Sequence, residues 1–240
     1  MRLRASLSNY FATSNETGIQ IHQYSKMEIS AQLAERIPVA LTVETEYPWD
    51  GHVKIAVRET SNEPWKLALR MPSWCEKFSA SVNGHEGYDD LQKGYVIVER
   101  NWNVGDVIEV EFDMPPFMIE GDPRVDSIRG CVALQRGPII YCLEEQDQEQ
   151  RVNLLDVEID PSEGLTSHWQ GDLLGGVTTL EGTGYQSDRS DWSADGLYRP
   201  LATNKDNESS DQKVKLTAVP YYAWGNRGLI SMRVWIPRVS

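Results

Sequence analysis

Apolar and polar residues alternate along much of this chain with a period of two. Val39, Leu41 and Val43 alternate with smaller or polar neighbours. The same alternation recurs in residues 52–59 (HVKIAVRE), 65–71 (WKLALRM) and 106–114 (DVIEVEFDM). A period of two puts every second side chain on one face of a strand, so each segment predicts a half-buried antiparallel strand.

Turn sequences separate these predicted strands. They are residues 48–51 (PWDG), 83–84 (NG) and 104–106 (VGD), whose residue types favour tight turns. Short strands with turns at this spacing are typical of a β-sandwich or barrel. Since no second long helical pattern follows, we expect an all-β fold.

Consecutive prolines at 115–116 predict a boundary, because neither can donate to a strand ladder. Beyond them, apolar runs in 129–144 and 213–220 predict further strands, and residues 181–212, rich in Ser, Asp, Asn and Gly, predict a long loop. The last predicted strand, 229–237, places one set of apolar residues on one face: Ile230, Met232, Val234 and Ile236. We therefore expect two consecutive antiparallel β-sandwiches, residues 15–114 and 115–240.

The first 14 residues follow a different period. Leu3, Leu7, Tyr10 and Phe11 lie at i, i+4, i+7 and i+8, the stripe of an amphipathic helix, which we expect within residues 1–14. So short a helix is marginal in water by itself. Its apolar face predicts a partner, either the strands that follow or a domain outside this sequence.

Composition excludes several classes of protein. The chain has 240 residues and a net charge of −13, which argues against nucleic-acid binding and against docking on an anionic membrane. No apolar run reaches the ~20 residues of a membrane span, and no apolar segment of a signal peptide follows Arg2 and Arg4. Three cysteines are too few for a disulfide scaffold, so we expect a reduced, cytoplasmic protein.

The usual catalytic and metal-binding patterns are missing from the sequence. Cys75, Cys131 and Cys142 have no zinc-type spacing, and the histidines are scattered. A tight hairpin at 136–137 would place Cys131 opposite Cys142, but Pro138 argues against that hairpin, so we expect structural thiols. No catalytic residue and no metal ligand is therefore assigned.

Two aromatic clusters are the candidate binding residues. One consists of Tyr47, Trp49 and Asp50, and the other consists of Tyr221, Tyr222, Trp224, Asn226 and Arg227. Aromatic faces stack on sugar rings, and neighbouring polar groups can bind hydroxyls. The alternative is that these side chains cover the end of a sandwich or a seam between domains.

Several longer strings together resemble one family. They are residues 44–57, 69–75, 82–95, 100–116, 129–144 (RGCVALQRGPIIYCLE), 173–177, 218–228 (AVPYYAWGNRG) and 232–237 (MRVWIP). This set is similar to the C-terminal part of glycoside hydrolase family 127, the bacterial β-L-arabinofuranosidase-type enzymes. The resemblance implies an (α/α)6 barrel followed by two β-sandwiches, with residues 5–13 similar to the last barrel helix.

The resemblance also implies chemistry that this sequence does not contain. The family's cysteine nucleophile lies in a Cys-Cys-Pro motif, and its zinc is held by cysteines and a glutamate, all before the position of residue 5. The chain has no Cys-Cys pair. We therefore expect no cofactor in this chain and a non-catalytic role, bracing a catalytic barrel in cis or in trans or supporting a homodimer. The alternatives are a stand-alone carbohydrate-binding module and the sandwich half of a split glycosidase.

Overall fold

The computed structural model describes residues 7–61, 63–148, 152–187, 198 and 212–239. The chain divides into two compact units, Met1–Met114 and Pro115–Ser240. Nearly all of the regular structure is β-strand, joined by turns of 3-10 helix. The all-β prediction is confirmed.

Unit 1 contains two sheets. Its strands are β1 (Ala12–Asn15), β2 (Gly18–Ile21), β3 (Met27–Leu33), β4 (Ile37–Thr45), β5 (His52–Glu59), β6 (Pro64–Arg70), β7 (Phe78–Val82), β8 (His85–Glu86), β9 (Leu91–Gln92), β10 (Tyr95–Asn101) and β11 (Val107–Phe112). One sheet has the order β1-β2-β6-β10-β9 and the other the order β3-β4-β5-β11-β7-β8. Neighbouring strands are antiparallel except β2 and β6, which are parallel.

The apolar alternation builds the core of unit 1. In β4 the inward positions are buried and their neighbours are half-exposed, as the period of two predicts. The two sheets contribute to one hydrophobic cluster, in which Trp65 and Trp102 pack with ring centroids 5.2 Å apart. The indole Nε1 of Trp102 donates a hydrogen bond to the Trp65 carbonyl oxygen at 3.0 Å, so the buried donor is satisfied.

Gly18 allows the parallel pairing of β2 and β6. A Cβ atom at this position would lie 2.0 Å from the carbonyl oxygen of Lys66, which is a backbone atom and cannot rotate away. The two backbones therefore approach so closely that only glycine fits.

The predicted helix within residues 1–14 is wrong in the described residues. Leu7–Tyr10 forms one turn of 3-10 helix, and Ala12–Asn15 is the strand β1, paired with β2. Pairing with a neighbouring strand overrides a short, uncapped helical pattern, which has little intrinsic stability. Residues 1–6, including Leu3, lie outside the described residues.

Unit 2 is built on one hydrogen-bonded sheet. Its strands are β12 (Pro116–Glu120), β13 (Cys131–Arg136), β14 (Ile139–Glu144), β15 (Val157–Ile159), β16 (Leu165–Gln170), β17 (Val177–Gln186), β18 (Gln212–Pro220), β19 (Met232–Arg233) and β20 (Ile236–Pro237). The main order is β12-β13-β14-β18-β17-β15, with β16 on β17, β19 on β14 and β20 on β13.

This sheet curls around its own core. Ile159, at the end of β15, bridges to Arg238, just after β20, and the Val239 N–H donates to the Ile159 carbonyl at 3.0 Å. The strand β15, at one end of the main order, therefore meets β20, which pairs with β13 near the other end. The core includes Tyr141, Leu180 and Ile236.

Two local expectations in unit 2 need correction. The predicted strand over 229–237 is split into β19 and β20. Arg233, the last residue of β19, donates from Nη1 to the Leu154 carbonyl at 2.6 Å. The predicted loop over 181–212 begins as strand, since β17 extends to Gln186. Gly184 lies within this strand, where the backbone of β15 passes close by. An added Cβ at Gly184 would lie 2.6 Å from the carbonyl oxygen of Glu158. Residues 188–197 and 199–211 lie outside the described residues.

The hairpin between β13 and β14 also differs from expectation. It forms with Gly137 and Pro138 as its loop, where the missing N–H of proline is not needed by the ladder. The Arg136–Ile139 pair closes the loop, and this register pairs Leu134 with Tyr141. Cys131 pairs instead with Pro237 of β20, and Cys142 pairs with Val219 of β18, so the two thiols are not opposite each other.

Candidate functional site

The first aromatic cluster lies in the turn between β4 and β5. Tyr47 is half-buried, and its ring lies against three others, those of Tyr24, Trp74 and Phe112. The closest to parallel is Trp74, at a centroid distance of 6.5 Å and an interplanar angle of 21°. Burial raises the pKa of the Tyr47 hydroxyl, although a hydrogen bond with Trp74 opposes this. Tyr47 therefore packs against the hydrophobic core of unit 1.

The other two residues of this cluster face solvent. Trp49 is about half exposed, and its backbone N–H donates to the Glu46 carbonyl at 2.9 Å. The Asp50 carboxylate accepts a hydrogen bond from the His52 N–H at 2.8 Å, which fixes the turn. The cluster thus divides into one core residue and two exposed turn residues.

The second cluster presents its aromatic rings more openly. Tyr221–Ala223 forms a turn of 3-10 helix directly after β18, and Trp224 follows it. Tyr221 and Trp224 stack with centroids 6.2 Å apart and planes 10° from parallel. Tyr221, Tyr222 and Trp224 are 47%, 54% and 44% exposed, so all three rings reach solvent although the turn is ordered.

Arg227 ties this segment to β14 and the turn that follows it. Its Nη1 donates to Oδ1 of Asp147 at 2.7 Å, and its Nη2 donates to Oε2 of Glu144. Glu144 is 1% exposed, and its Oε1 accepts the Gly225 N–H at 3.1 Å. A buried carboxylate therefore receives hydrogen bonds from both the side chain and the backbone of the aromatic segment.

The pKa shifts agree with this arrangement. Burial alone would raise the pKa of Glu144, but hydrogen bonds from Gln146, Gly225 and Arg227 outweigh burial and lower it. The pKa of Arg227 is raised, first by its hydrogen bond with Asp147. Burial, together with the nearby Glu144 and Asp147, raises the pKa of the Cys142 thiol to about 12. Glu144 is thus held ionised and Cys142 is held as a neutral thiol.

Gln148 completes the attachment. Its Nε2 donates to the carbonyl oxygens of Glu144 and Thr217 at 2.7 and 3.0 Å, and its Oε1 accepts the Thr217 N–H at 3.1 Å. It therefore joins the end of β14 to β18. We define the anchor as Glu144, Asp147, Gln148 and Arg227. Sequence reasoning found Arg227 alone, although the run of polar residues directly after the apolar β14 was a signal for the others.

A groove lies beside the first described residues of unit 1. Its volume is about 390 Å³, and it is lined by Leu7, Phe11, Ala12 and residues 25–30. Leu7 and Tyr10 are exposed and Phe11 is half-buried, so the predicted apolar stripe is only partly covered within the described residues.

Neither a metal-binding cluster nor a membrane-spanning helix is found among the residues that the structure describes. Among the described residues, no three His, Cys, Asp or Glu side chains come together as a metal site. Cys75, Cys131 and Cys142 are all thiols. No helix within the described ranges is long and apolar enough to cross a bilayer.

Comparison with known proteins identifies the family. A model described as the GH127 middle domain of β-L-arabinofuranosidase matches residues 18–114, and a model of the glycoside hydrolase family 127 C-terminal domain matches residues 116–237. The fold and these matches place the chain among the β-domains of glycoside hydrolases. It belongs to glycoside hydrolase family 127.

The relatives are much longer than this chain. A non-reducing end β-L-arabinofuranosidase of Bifidobacterium longum subsp. longum is 31% identical over 98% of this chain but only 35% of its own length. A GH127 β-L-arabinofuranosidase from Geobacillus stearothermophilus T6 is 37% identical with a TM-score of 0.85, covering 99% of this chain and 36% of that one. A second solved glycoside hydrolase is 30% identical with a TM-score of 0.86, covering all of this chain and 39% of that one.

Proposed function

We propose that this chain is the non-catalytic C-terminal portion of a β-L-arabinofuranosidase-like enzyme and that it braces a catalytic barrel, in cis or in trans. The observation that carries the proposal is the pair of family matches: they are middle and C-terminal domains, and together they span nearly the whole chain. The chain spans only 35–39% of the length of the relatives described above. Most of each relative therefore lies outside the region that this chain resembles.

Two features of the described residues support a bracing role. Leu7, Tyr10 and the groove beside them present apolar surface at the start of unit 1. Exposed apolar surface of this kind is typical of contacts with another domain. Tyr221, Tyr222 and Trp224 of unit 2 present a second exposed apolar surface, which the anchor holds in place.

The experiment mixes this chain with the GH127 catalytic domain encoded in the same genome, whether that domain is fused upstream or separate. We expect the two to elute together in size-exclusion chromatography and the catalytic domain to unfold at a higher temperature in the presence of the chain. Separate elution, with an unchanged unfolding temperature of the catalytic domain, would contradict the proposal.

A matched variant tests the groove. Leu7→Ser removes an exposed apolar side chain that contributes little to unit 1 itself, so the fold should be retained while association weakens. Val104→Ser is the control, because Val104 is also exposed but lies in the turn before β11. Equal association by both variants and the unchanged chain would exclude the groove from the contact.

A further inference from the structure

The segment after β18 concentrates exposed apolar side chains in a short stretch. We define residues 220–229 as the aromatic loop. It presents Tyr221, Tyr222 and Trp224, and it ends at Leu229, which is fully exposed. Large apolar side chains exposed this densely mark a surface that meets something other than water.

The anchor holds the aromatic loop in one conformation before any partner binds. Arg227 contacts Asp147 and Glu144, while the Gly225 N–H donates to Glu144. Burying a carboxylate is unfavourable unless such partners are present. The charged residues of the anchor therefore fix the position of a loop whose aromatic rings are exposed. A loop that is already ordered loses little conformational entropy on binding.

The electrostatic character of the aromatic loop fits the centre of a protein interface. Arg227 is its one charged residue, and this charge is neutralised by the two carboxylates of the anchor. The chain as a whole carries a net charge of −13, whereas the aromatic loop has no negatively charged residue. Interface centres are depleted in charged residues and enriched in Tyr and Trp.

The polar groups of the loop favour a protein partner over a sugar. A sugar site needs polar side chains that can bind hydroxyls beside the aromatic face. Here Asn226 Nδ2 donates to the Ala223 carbonyl within the loop at 3.0 Å, and Arg227 is engaged by the anchor. Because Tyr221 and Trp224 stack, each ring covers one face of the other. Leu229 adds an aliphatic side chain, which suits a protein surface better than a hydroxylated ring.

We propose that the aromatic loop is the surface on which the GH127 catalytic domain docks to unit 2. This inference rests on the proposed function and names the surface that performs it. The matched relatives carry more than half of their length outside the region shared with this chain, so a domain large enough to cover the loop exists in them. Apolar side chains of that domain would cover the rings of Tyr221, Tyr222 and Trp224.

The first experiment identifies the occupant directly. A photo-crosslinking p-benzoylphenylalanine replaces Tyr222 in the protein as its host organism produces it, and the crosslinked peptides are identified by mass spectrometry. The same amino acid at Trp169, an exposed position on β16, is the control. We expect Tyr222 to crosslink to the catalytic domain and Trp169 not to do so. Crosslinks from Tyr222 only to other proteins, or equal crosslinking from both positions, would overturn the inference.

A second experiment measures affinity. The double variant Tyr221→Ala/Trp224→Ala should bind the catalytic domain about 30-fold more weakly, as expected when central aromatic contacts are lost, while Trp169→Ala should bind unchanged. Circular dichroism and the unfolding temperature check that the double variant is folded. Unchanged affinity of the folded double variant would overturn the inference but leave the proposed function intact. Failure of the unchanged chain to bind the catalytic domain would overturn both.

A separate experiment tests whether the aromatic loop binds carbohydrate. The chain is titrated with β-L-arabinofuranosyl oligosaccharides in a calorimeter. We expect no binding heat. Binding heat that disappears in Trp224→Ala would assign the aromatic loop to carbohydrate and overturn the docking inference.

Discussion

Replacing Arg227 tests whether the anchor holds the aromatic loop in place. Arg227→Met removes the cation and its hydrogen bonds to Glu144 and Asp147 but keeps an unbranched apolar stem. The carboxylate of Glu144, 1% exposed, then loses its charged partner. We expect a less stable unit 2 and a more mobile aromatic loop.

The magnitude follows from the burial of the two partners. Removing one partner of a buried ion pair costs about 3–5 kcal/mol. Arg227 keeps 23% of its side-chain surface exposed, so water can reach part of the site and the lower end of that range applies. For a unit of this size, about 3 kcal/mol corresponds to a fall of roughly 10 °C in the unfolding temperature.

Differential scanning calorimetry at pH 7 and urea unfolding followed by circular dichroism measure this loss. The matched control is Arg233→Met, which removes another arginine of unit 2 whose donors reach backbone carbonyls rather than buried carboxylates. The double variant Glu144→Gln/Arg227→Met should lose less stability than the two single variants added together, because the glutamine leaves no unpaired charge. An Arg227→Met variant whose free energy of unfolding is within about 0.5 kcal/mol of the unchanged chain, or strictly additive losses, would show that Arg227 does not stabilise the buried Glu144 carboxylate.

The loss should also depend on pH. The pKa of Glu144 is lowered in the folded state, so its ionised form contributes stability above its unfolded pKa of about 4.3, and this contribution is lost as the pH falls through the folded-state pKa. The destabilisation by Arg227→Met should therefore be largest near neutral pH and shrink as the pH falls below about 4.3. A loss that stays constant from pH 7 down to about pH 3 would contradict the assigned role of Glu144.

Three further predictions concern other parts of the fold. Trp102→Ala should lower the free energy of unfolding in urea by about 3–5 kcal/mol, because its ring is buried against Trp65; the exposed Trp169→Ala should change it by less than about 0.5 kcal/mol. Gly18→Ala should cost about 3 kcal/mol in the same assay, since the new Cβ would lie 2.0 Å from a backbone oxygen of β6. Cys142 should not react with Ellman's reagent in the folded chain at pH 8, because its thiol is buried and its pKa is raised to about 12.

Each of these predictions has a clear contrary result. Similar losses from Trp102→Ala and Trp169→Ala would show that the buried tryptophan pair is not a principal part of the core. A Gly18→Ala chain as stable as the unchanged one would exclude the close approach of β2 and β6. Rapid modification of Cys142 at pH 8, as fast as in the chain unfolded by guanidinium, would show that its strand opens readily.

The strands of unit 1 were predictable because burial on one face leaves a strict period of two. In β4, β5, β6 and β11 the alternating apolar residues are the buried ones. The strand β1 was not predictable, since Leu7, Tyr10 and Phe11 fit a helical stripe and only the pairing of β1 with β2 decides otherwise. Local patterns cannot report a long-range pairing.

Glycines and prolines misled the interpretation of unit 2. Gly182 and Gly184 indicate a loop by composition but belong to β17. At Gly184 an added Cβ would lie 2.6 Å from the backbone oxygen of Glu158, so the close approach of the strands requires glycine there. Pro138 argues against a hairpin, but it lies within the loop of one. The sequence shows that such residues need an unusual backbone or a close approach, and only the tertiary structure shows which.

The candidate site was predictable in its aromatic residues and not in its anchor. Tyr221, Tyr222 and Trp224 are conspicuous in the sequence as a cluster. Their attachment depends on Arg227 reaching Glu144, 83 positions earlier in the chain. Sequence spacing carries no information about a contact at that separation, so the engagement of Arg227 with buried acids became evident only in the structure.

The proposed non-catalytic, bracing role is tested by the hydrolysis of an aryl β-L-arabinofuranoside, measured with this chain alone and with the chain together with a GH127 catalytic domain. We expect no hydrolysis above background by the chain alone, and more hydrolysis by the combination than by the catalytic domain alone. Hydrolysis by the purified chain alone would contradict the proposed role, because it would place the catalytic residues within these 240 residues.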